Sequence, residues 1–336
     1  MKTHSNTQSI PLSIEQAIHQ YLNCVTLSRS ANTAKTYLYA LIVFQQVLDD
    51  HNHNSTKTLV SDLTEDAVIW FAAALKPYSP ATERLYLTAV AGFYDYLAAE
   101  RLADPNLPRV RLLIRQRARR TGQRLPQFPR IAIEDVLKYA INLVHSPAET
   151  ETERLRDLRD RALLITLADT GLRVHEACAL RRGDLDWNEG KAVIIGKGDQ
   201  QGVVRFSKRA MHALRDYFSA RGALDGASGK PLTSLPLFAR HDKGAGNKIK
   251  TITTTTGRNI VAQRVSEALG PDAVGTITPH SFRHYFVTTI LVGSGGNLKL
   301  AQELARHRNI AVTQRYAHLS DDELDQGYWE IFEEGM

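Results

Sequence analysis

The sequence predicts a mainly α protein in two units, a four-helix bundle followed by a larger, mostly helical domain with a small antiparallel β-sheet. Three observations predict it. Apolar residues recur at helical spacing through most of the chain. A stretch rich in proline and arginine, residues 102–129, interrupts that pattern about a third of the way along. Two short β-branched runs, residues 192–195 and 203–206, flank Gly196-Lys197-Gly198 and read as a hairpin. At 336 residues and 43% hydrophobic, the chain can fill two cores. The expected division is a helical unit over 1–112, a basic linker over 113–127 and a second domain over 128–336.

In the first unit, Ser13 can cap a helix carrying Ile14, Ala17, Ile18, Tyr21 and Leu22 at helical spacing. A second helix starts at Ser30 or Asn32 and runs to about Leu48, with Tyr37, Leu41, Phe44 and Leu48 inward. Residues 49–61 form a polar loop. Thr64-Glu65-Asp66 opens a third helix, apolar at Ile69, Trp70, Ala73 and Leu75. Ser79-Pro80 starts the fourth, with proline in the first turn, and Leu85, Val90, Phe93 and Leu97 follow.

The linker carries most of the charge asymmetry. Residues 1–100 hold six Lys/Arg against nine Asp/Glu, whereas residues 101–130 hold nine arginines against one aspartate. Nearly all of the net charge of +6 therefore sits in that short stretch. Pro105, Pro108, Pro126 and Pro129 bracket Arg109, Arg111, Arg115, Arg117, Arg119, Arg120 and Arg124. A solvated tether is the ordinary reading of such a run. The functional reading is a strap across a DNA backbone, in which each phosphate contact adds about 0.9 to the salt slope of binding.

In the second unit, Ile133 begins a helix that ends near Val144. A long helix over residues 155–168 places Leu158, Ala162, Ile165 and Leu167 at helical spacing, and Gly171 breaks it. Arg173 begins the next, short helix. Asp186-Trp187-Asn188-Glu189-Gly190 is a turn between strands, and a further helix covers about residues 208–221. Residues 222–256 read as a long loop with one short element near 235–238. Helices return from Ile260 to the end.

The chemistry concentrates near the end of the chain. His280 and Arg283 are three apart and share a helix face. His307 and Tyr316 are nine apart. A free phenol has a pKa of about 10, so only about one in a thousand is ionised at pH 7. A tyrosine near arginines and imidazoles outlines nucleophilic attack on a phosphodiester. Upstream, Arg173 and Arg283 suit a phosphate clamp, because the guanidinium fork matches two non-bridging oxygens and keeps its proton. Glu176, one turn after Arg173, is placed to orient it. Lys197 between two glycines does not fit a phosphate-binding P-loop. Five residues separate Gly190 from Gly196, and Gly198 stands where Ser or Thr is required. His280 and His284 have the spacing of a metal pair, but Arg283 lies between them and no Glu follows His280. No metal site and no cofactor is expected, and His284 reads as a packing residue.

In that order, Thr170-Gly171-Leu172-Arg173 with Glu176, Gly196-Lys197-Gly198, His280-Ser281-Phe282-Arg283, His307 and Tyr316 resemble the tyrosine recombinases, the phage integrase and Xer-like family. Asn32-Thr33-Ala34 ahead of Tyr37, and Thr82-x-Arg84 ahead of Phe93, resemble the family's SAM-like core-binding domain. The resemblance implies a core-binding bundle joined to a tyrosine-recombinase catalytic domain. It implies Tyr316 as nucleophile, Arg173, Lys197, His280, Arg283 and His307 as its catalytic partners, and Glu176 as a supporting acid. Lys197 would protonate the leaving 5′ oxygen from a mobile hairpin. The expected DNA contacts are Lys35, Arg84, Arg115, Arg117, Arg119, Arg120 and Arg124. The partners implied are duplex recombination sites and three further copies of the chain, a homo-tetramer exchanging C-terminal helices, with a Holliday-junction intermediate. Where the family commonly has Leu-Gly-His, this chain has Ala305-Arg306-His307. Two alternatives share the fold: DNA relaxation of the type IB topoisomerase kind, and a non-catalytic DNA-binding protein.

Cys24 and Cys178 fall in different predicted units, so neither unit can hold a disulfide framework. The first residues are polar, and no apolar run approaches the ~18 residues that span a bilayer. The expected setting is the cytoplasm.

Overall fold

The computed structural model describes residues 12–119, 129–195, 201–242, 244, 246 and 248–314. The chain divides into two compact units, residues 1–124 and 125–336. The expected mainly α fold with a small antiparallel sheet is what the structure has, with thirteen α-helices and three strands among the described residues.

The first unit holds α1 (Ile14–Ser28), α2 (Ala31–Asp50), α3 (Asp66–Ala74), α4 (Pro80–Ala99) and α5 (Leu107–Arg117). Capping fixes where each of the long helices begins. Ser13 and Gln16 form a reciprocal capping box on α1, Ser30 caps α2, and Ser79 with Pro80 starts α4. Ile14, Ile18, Leu41, Phe44, Phe71, Val90 and Phe93 fill the core, each no more than 2% exposed. Two positions differ from the sequence reading. In α3 the buried residues are Ala67, Val68, Phe71 and Ala72, while Ala73 is exposed. In α4 Leu87 is buried and Leu85 exposed.

The bundle also has a fifth helix. α5 runs to Arg117, into the expected linker that starts at 113, and packs Val110 and Leu113 onto the bundle core. Its arginines answer the acids of the bundle. Arg109 pairs with Glu65 at 3.0 Å and Asp66 at 2.7 Å, and Arg111 with Asp95 at 3.0 Å. Glu83, fully buried on α4, accepts from Lys76 at 3.0 Å, from the Arg119 amide at 3.1 Å and from Arg119 Nε at 2.5 Å.

The second unit is built on α7 (Glu151–Thr170), which packs against α6 (Arg130–Asn142), α9 (Lys208–Gly226), α10 (Thr254–Leu269) and α11 (Pro279–Gly293). α8 (Val174–Ala179) follows α7 directly. Strands β1 (Leu185–Asp186), β2 (Lys191–Ile195) and β3 (Gln201–Arg205) form an antiparallel sheet in that order. Ile195 pairs with Gln201, and Ala192, Ile194 and Val204 turn inward. Charged groups inside this unit are paired, as buried charge must be. Arg264 reaches Asp157 at 2.6 Å and Asp160 at 2.8 Å. Arg221, 0% exposed, donates to the carbonyls of Pro236 and Leu237 and pins the segment that reads as a long loop. The described residues end with α12 (Leu298–Ala305) and α13 (Ile310–Gln314).

Candidate active site

Three local structures of the second unit converge. The first is the break between α7 and α8. Gly171 takes a left-handed conformation (φ 60°), and a Cβ there would lie 2.3 Å from the Phe286 ring, so only glycine fits. The turn delivers Arg173 in extended conformation as the N-cap of α8. Glu176, three residues on, accepts the Arg173 amide at 2.8 Å and Arg173 Nη1 at 2.9 Å. The Arg173 side chain remains 45% exposed, so much of its guanidinium is still open to a ligand, whereas that of Glu176 is 3% exposed.

The second is the start of α11, which carries His280 on its first turn and Arg283 at the beginning of its second. Arg283 is 2% exposed, and its two terminal nitrogens donate to the carbonyls of Gly171 and Ala305. One guanidinium thereby ties the turn before Arg173 to the end of α12. The His280 and His284 rings meet edge to face, with centroids 4.4 Å apart.

The third is the end of α12. Arg306 closes that helix in the left-handed region (φ 56°), and the next amide, of His307, donates to the Gln302 carbonyl at 3.0 Å. His307 Nδ1 lies 2.9 Å from Thr313 Oγ1 on α13.

Arg173, His280 and Arg283 line one cleft of about 470 Å³ together with Arg258 and Asn259 of α10. Its electrostatics follow from partial burial among cations. Burial lowers the His280 pKa, and the Arg283 and Arg173 charges add to it. His307 is lowered to about 4 by burial, then by Arg283, Arg173 and Arg306. His284 is lowered to about 4 by burial, His280 and Arg283. At pH 7 the imidazoles of His284 and His307 are neutral, so the His307 ring nitrogens can exchange a proton without carrying a fixed charge. Burial opposes the Glu176 charge, yet the Arg173 amide and the two guanidiniums around it hold its carboxyl below the ordinary value.

The described residues thus bring together Arg173, Glu176, His280, Arg283 and His307. Lys197 and Tyr316, with Arg120, Arg124 and the expected C-terminal helix, lie outside them. In the first unit Lys35 is exposed on α2, its ammonium 5.8 Å from the Tyr39 ring centroid, and Arg84 is exposed on α4. Arg115 and Arg117 are exposed on α5, but Arg119 is held by Glu83 and the Tyr78 carbonyl. Sequence reasoning missed Arg258 and Thr313. It noticed Arg306 only as a departure beside His307, because nothing local marks an arginine for a left-handed position.

Comparison with known proteins identifies the family of the chain. The phage integrase family matches residues 142–323, and the N-terminal SAM-like domain of phage integrases matches residues 18–101. The chain belongs to the phage integrase family. Within it the chain is similar to a tyrosine recombinase XerC of Thermodesulfovibrio yellowstonii, 30% identical over 254 residues, 76% of each chain. A tyrosine recombinase XerC of Treponema denticola is 29% identical over 300 residues, 88% of this chain and 91% of that one. Two solved structures share the fold. The Tn1549 transposon integrase in complex with transposon right end DNA has a TM-score of 0.66 at 16% identity, over 96% of this chain and 99% of that one. The XerH recombinase bound to a palindromic difH substrate has a TM-score of 0.66 at 18% identity, over 94% and 84%. This integrase-family chain is an enzyme of the tyrosine site-specific recombinase class.

Proposed function

We propose that the chain exchanges DNA strands at specific duplex sites through two transesterifications at Tyr316. The Tyr316 oxygen attacks the scissile phosphorus and passes its proton to an imidazole, His307 or His280. The bond to the 5′ oxygen breaks, and Lys197 protonates that oxygen as it leaves. The products are a 3′-phosphotyrosyl link and a 5′ hydroxyl. A 5′ hydroxyl from a second duplex then attacks the same phosphorus and releases the tyrosine. The phosphodiester energy is kept in the tyrosyl link, so the cycle balances without an external energy source. Repeating the exchange on the other strands passes through a Holliday junction, on a tetramer coupled by C-terminal helices, in the cytoplasm.

The observation that carries this reading is the gathering of Arg173, His280 and Arg283 on one cleft, with the charges of Arg283 and Arg173 acting on His307. Two guanidiniums suit the non-bridging oxygens, whose charge grows in the transition state. Neutral imidazoles suit transfer of the phenol proton. The neighbours bound to transposon-end DNA and to difH favour duplex recombination sites as partner. The relatives named XerC favour recombination over relaxation.

The test offers the protein paired duplex fragments from its own genomic neighbourhood and resolves the products. Recombinant joints and four-way junctions are expected. Relaxation of supercoiled plasmid without paired sites, and without joints, would replace this reading with the topoisomerase one. Binding with neither would leave a DNA-binding protein.

A further inference from the structure

The Glu176 carboxylate holds a second arginine that the reaction just described does not use. Arg306 Nη2 lies 3.0 Å from Glu176 Oε2, the same oxygen that accepts the Arg173 amide, while Oε1 takes Arg173 Nη1. The Arg306 side chain is 14% exposed, and its Nη1 is buried with no hydrogen-bond partner among the described residues. The backbone gives no reason for an arginine here, since a left-handed C-cap favours glycine. Across from it, β3 has Gly202, where a Cβ would fall 2.9 Å from Arg306 Cδ. A left-handed backbone, a missing side chain on the sheet and a buried N–H unpaired among the described residues thus all surround one guanidinium.

We propose, resting on the recombinase reading above, that Arg306 is a positioning residue of the active site. It shares the Glu176 carboxylate with Arg173, so that Arg173 is oriented by Glu176 without having its charge cancelled. One carboxylate between two guanidiniums leaves the group with a net positive charge facing the cleft. With Arg306 gone, Arg173 and Glu176 form a neutral pair, and an incoming phosphate competes with a carboxylate for the same fork. The contact of the Arg306 stem with Gly202 also joins β3 to that group, so the strand following Lys197 in sequence and the arginine that meets phosphate share one support.

The test measures covalent adduct formation on a nicked duplex site by Arg306→Gly. Glycine removes the guanidinium and suits the left-handed backbone, and a thermal midpoint confirms that folding is intact. Adduct formation should slow by ~10- to 100-fold, the usual effect of losing a supporting partner, with duplex binding little changed. The double variant Arg306→Gly/Glu176→Gln should recover at least about 3-fold over Arg306→Gly, because the uncompensated carboxylate is gone and the two positions couple. A packing role would give no such recovery. Arg306→Gly at the wild-type rate, or no recovery with Glu176→Gln, overturns the proposal and leaves the recombinase reading standing. A wild-type protein that forms no adduct overturns both.

Discussion

Arg173 and Arg283 are the same side chain in opposite situations, and their substitution should separate affinity for charge from support of the fold. Arg173 is 45% exposed, and Glu176 keeps Arg306 if Arg173 is lost. Arg173→Ala should therefore change stability by no more than about 1 kcal/mol, while cleavage falls ~10²- to 10³-fold. Arg283 is 2% exposed and bridges two backbone carbonyls. Arg283→Ala should cost cleavage as much and also ~2–4 kcal/mol of stability, because two charged hydrogen bonds are lost. Denaturant unfolding beside single-turnover cleavage checks both. Sulfur in place of the bridging 5′ oxygen isolates the leaving group, since a thiolate, with a thiol pKa near 8.5, departs without a proton. That substrate should rescue Lys197→Ala and leave Arg283→Ala slow. Failure to rescue would move the proton donor to His280 or His307. The imidazoles set a pH dependence as well. His284 and His307 fall to about 4 in the fold from an ordinary value near 6.5. The unfolded chain therefore binds more protons in that window, and stability should decline as pH falls from about 6.5 to 4. A urea midpoint that stays flat across that range would contradict the lowered values.

At the scale of elements, α5 belongs to the bundle, and its arginines, together with Arg119 just past its end, divide into two groups. Arg109, Arg111 and Arg119 are paired with acids, whereas Arg115 and Arg117 are exposed. Replacing Arg115 and Arg117 by alanine should flatten the plot of log K against log salt by up to about 1.8 units. Arg119→Ala should instead lower bundle stability by ~1–2 kcal/mol, since it strips the buried Glu83 of a partner while Lys76 remains. A full slope change on Arg119→Ala would return that residue to the DNA contacts. The same elements show what the sequence made legible. Helix starts were legible because Ser13, Ser30 and Ser79 each announce a cap. The inward face of α3 was not, because nine residues that are nearly all apolar carry no phase. Residues 222–256 were opaque because part of them is organised by Arg221 of α9, which holds the carbonyls of Pro236 and Leu237. In the site, the spacing of Arg173, His280, Arg283 and His307 was legible, since phosphate chemistry requires those residue types. The bridging by Arg283 and the placement of Arg306 were not, because both depend on carbonyls and turns that only the folded chain brings together.

At the scale of the whole molecule, the proposed reaction would bring together residues spread from Arg173 to Tyr316, and would then bring copies of the chain together. After Tyr316, the residues Leu324, Tyr328 and Phe332 are spaced four apart, a pattern that gives a helix one apolar face needing a partner. Truncation before Asp321 should weaken assembly of the tetramer on paired sites more than binding to one site, read by native gel mobility. Equal loss of both would place that segment in the fold of its own subunit. The central claim is that Tyr316 is the nucleophile. The direct measurement is the mass of the peptide that carries DNA after the protein meets a nicked duplex site and the adduct is digested. The account predicts a single adduct on Tyr316, with a 3′-phosphoryl end, and none from Tyr316→Phe although that variant still binds the duplex. An adduct on another residue, a 5′-phosphoryl link, or an adduct that persists in Tyr316→Phe would contradict it.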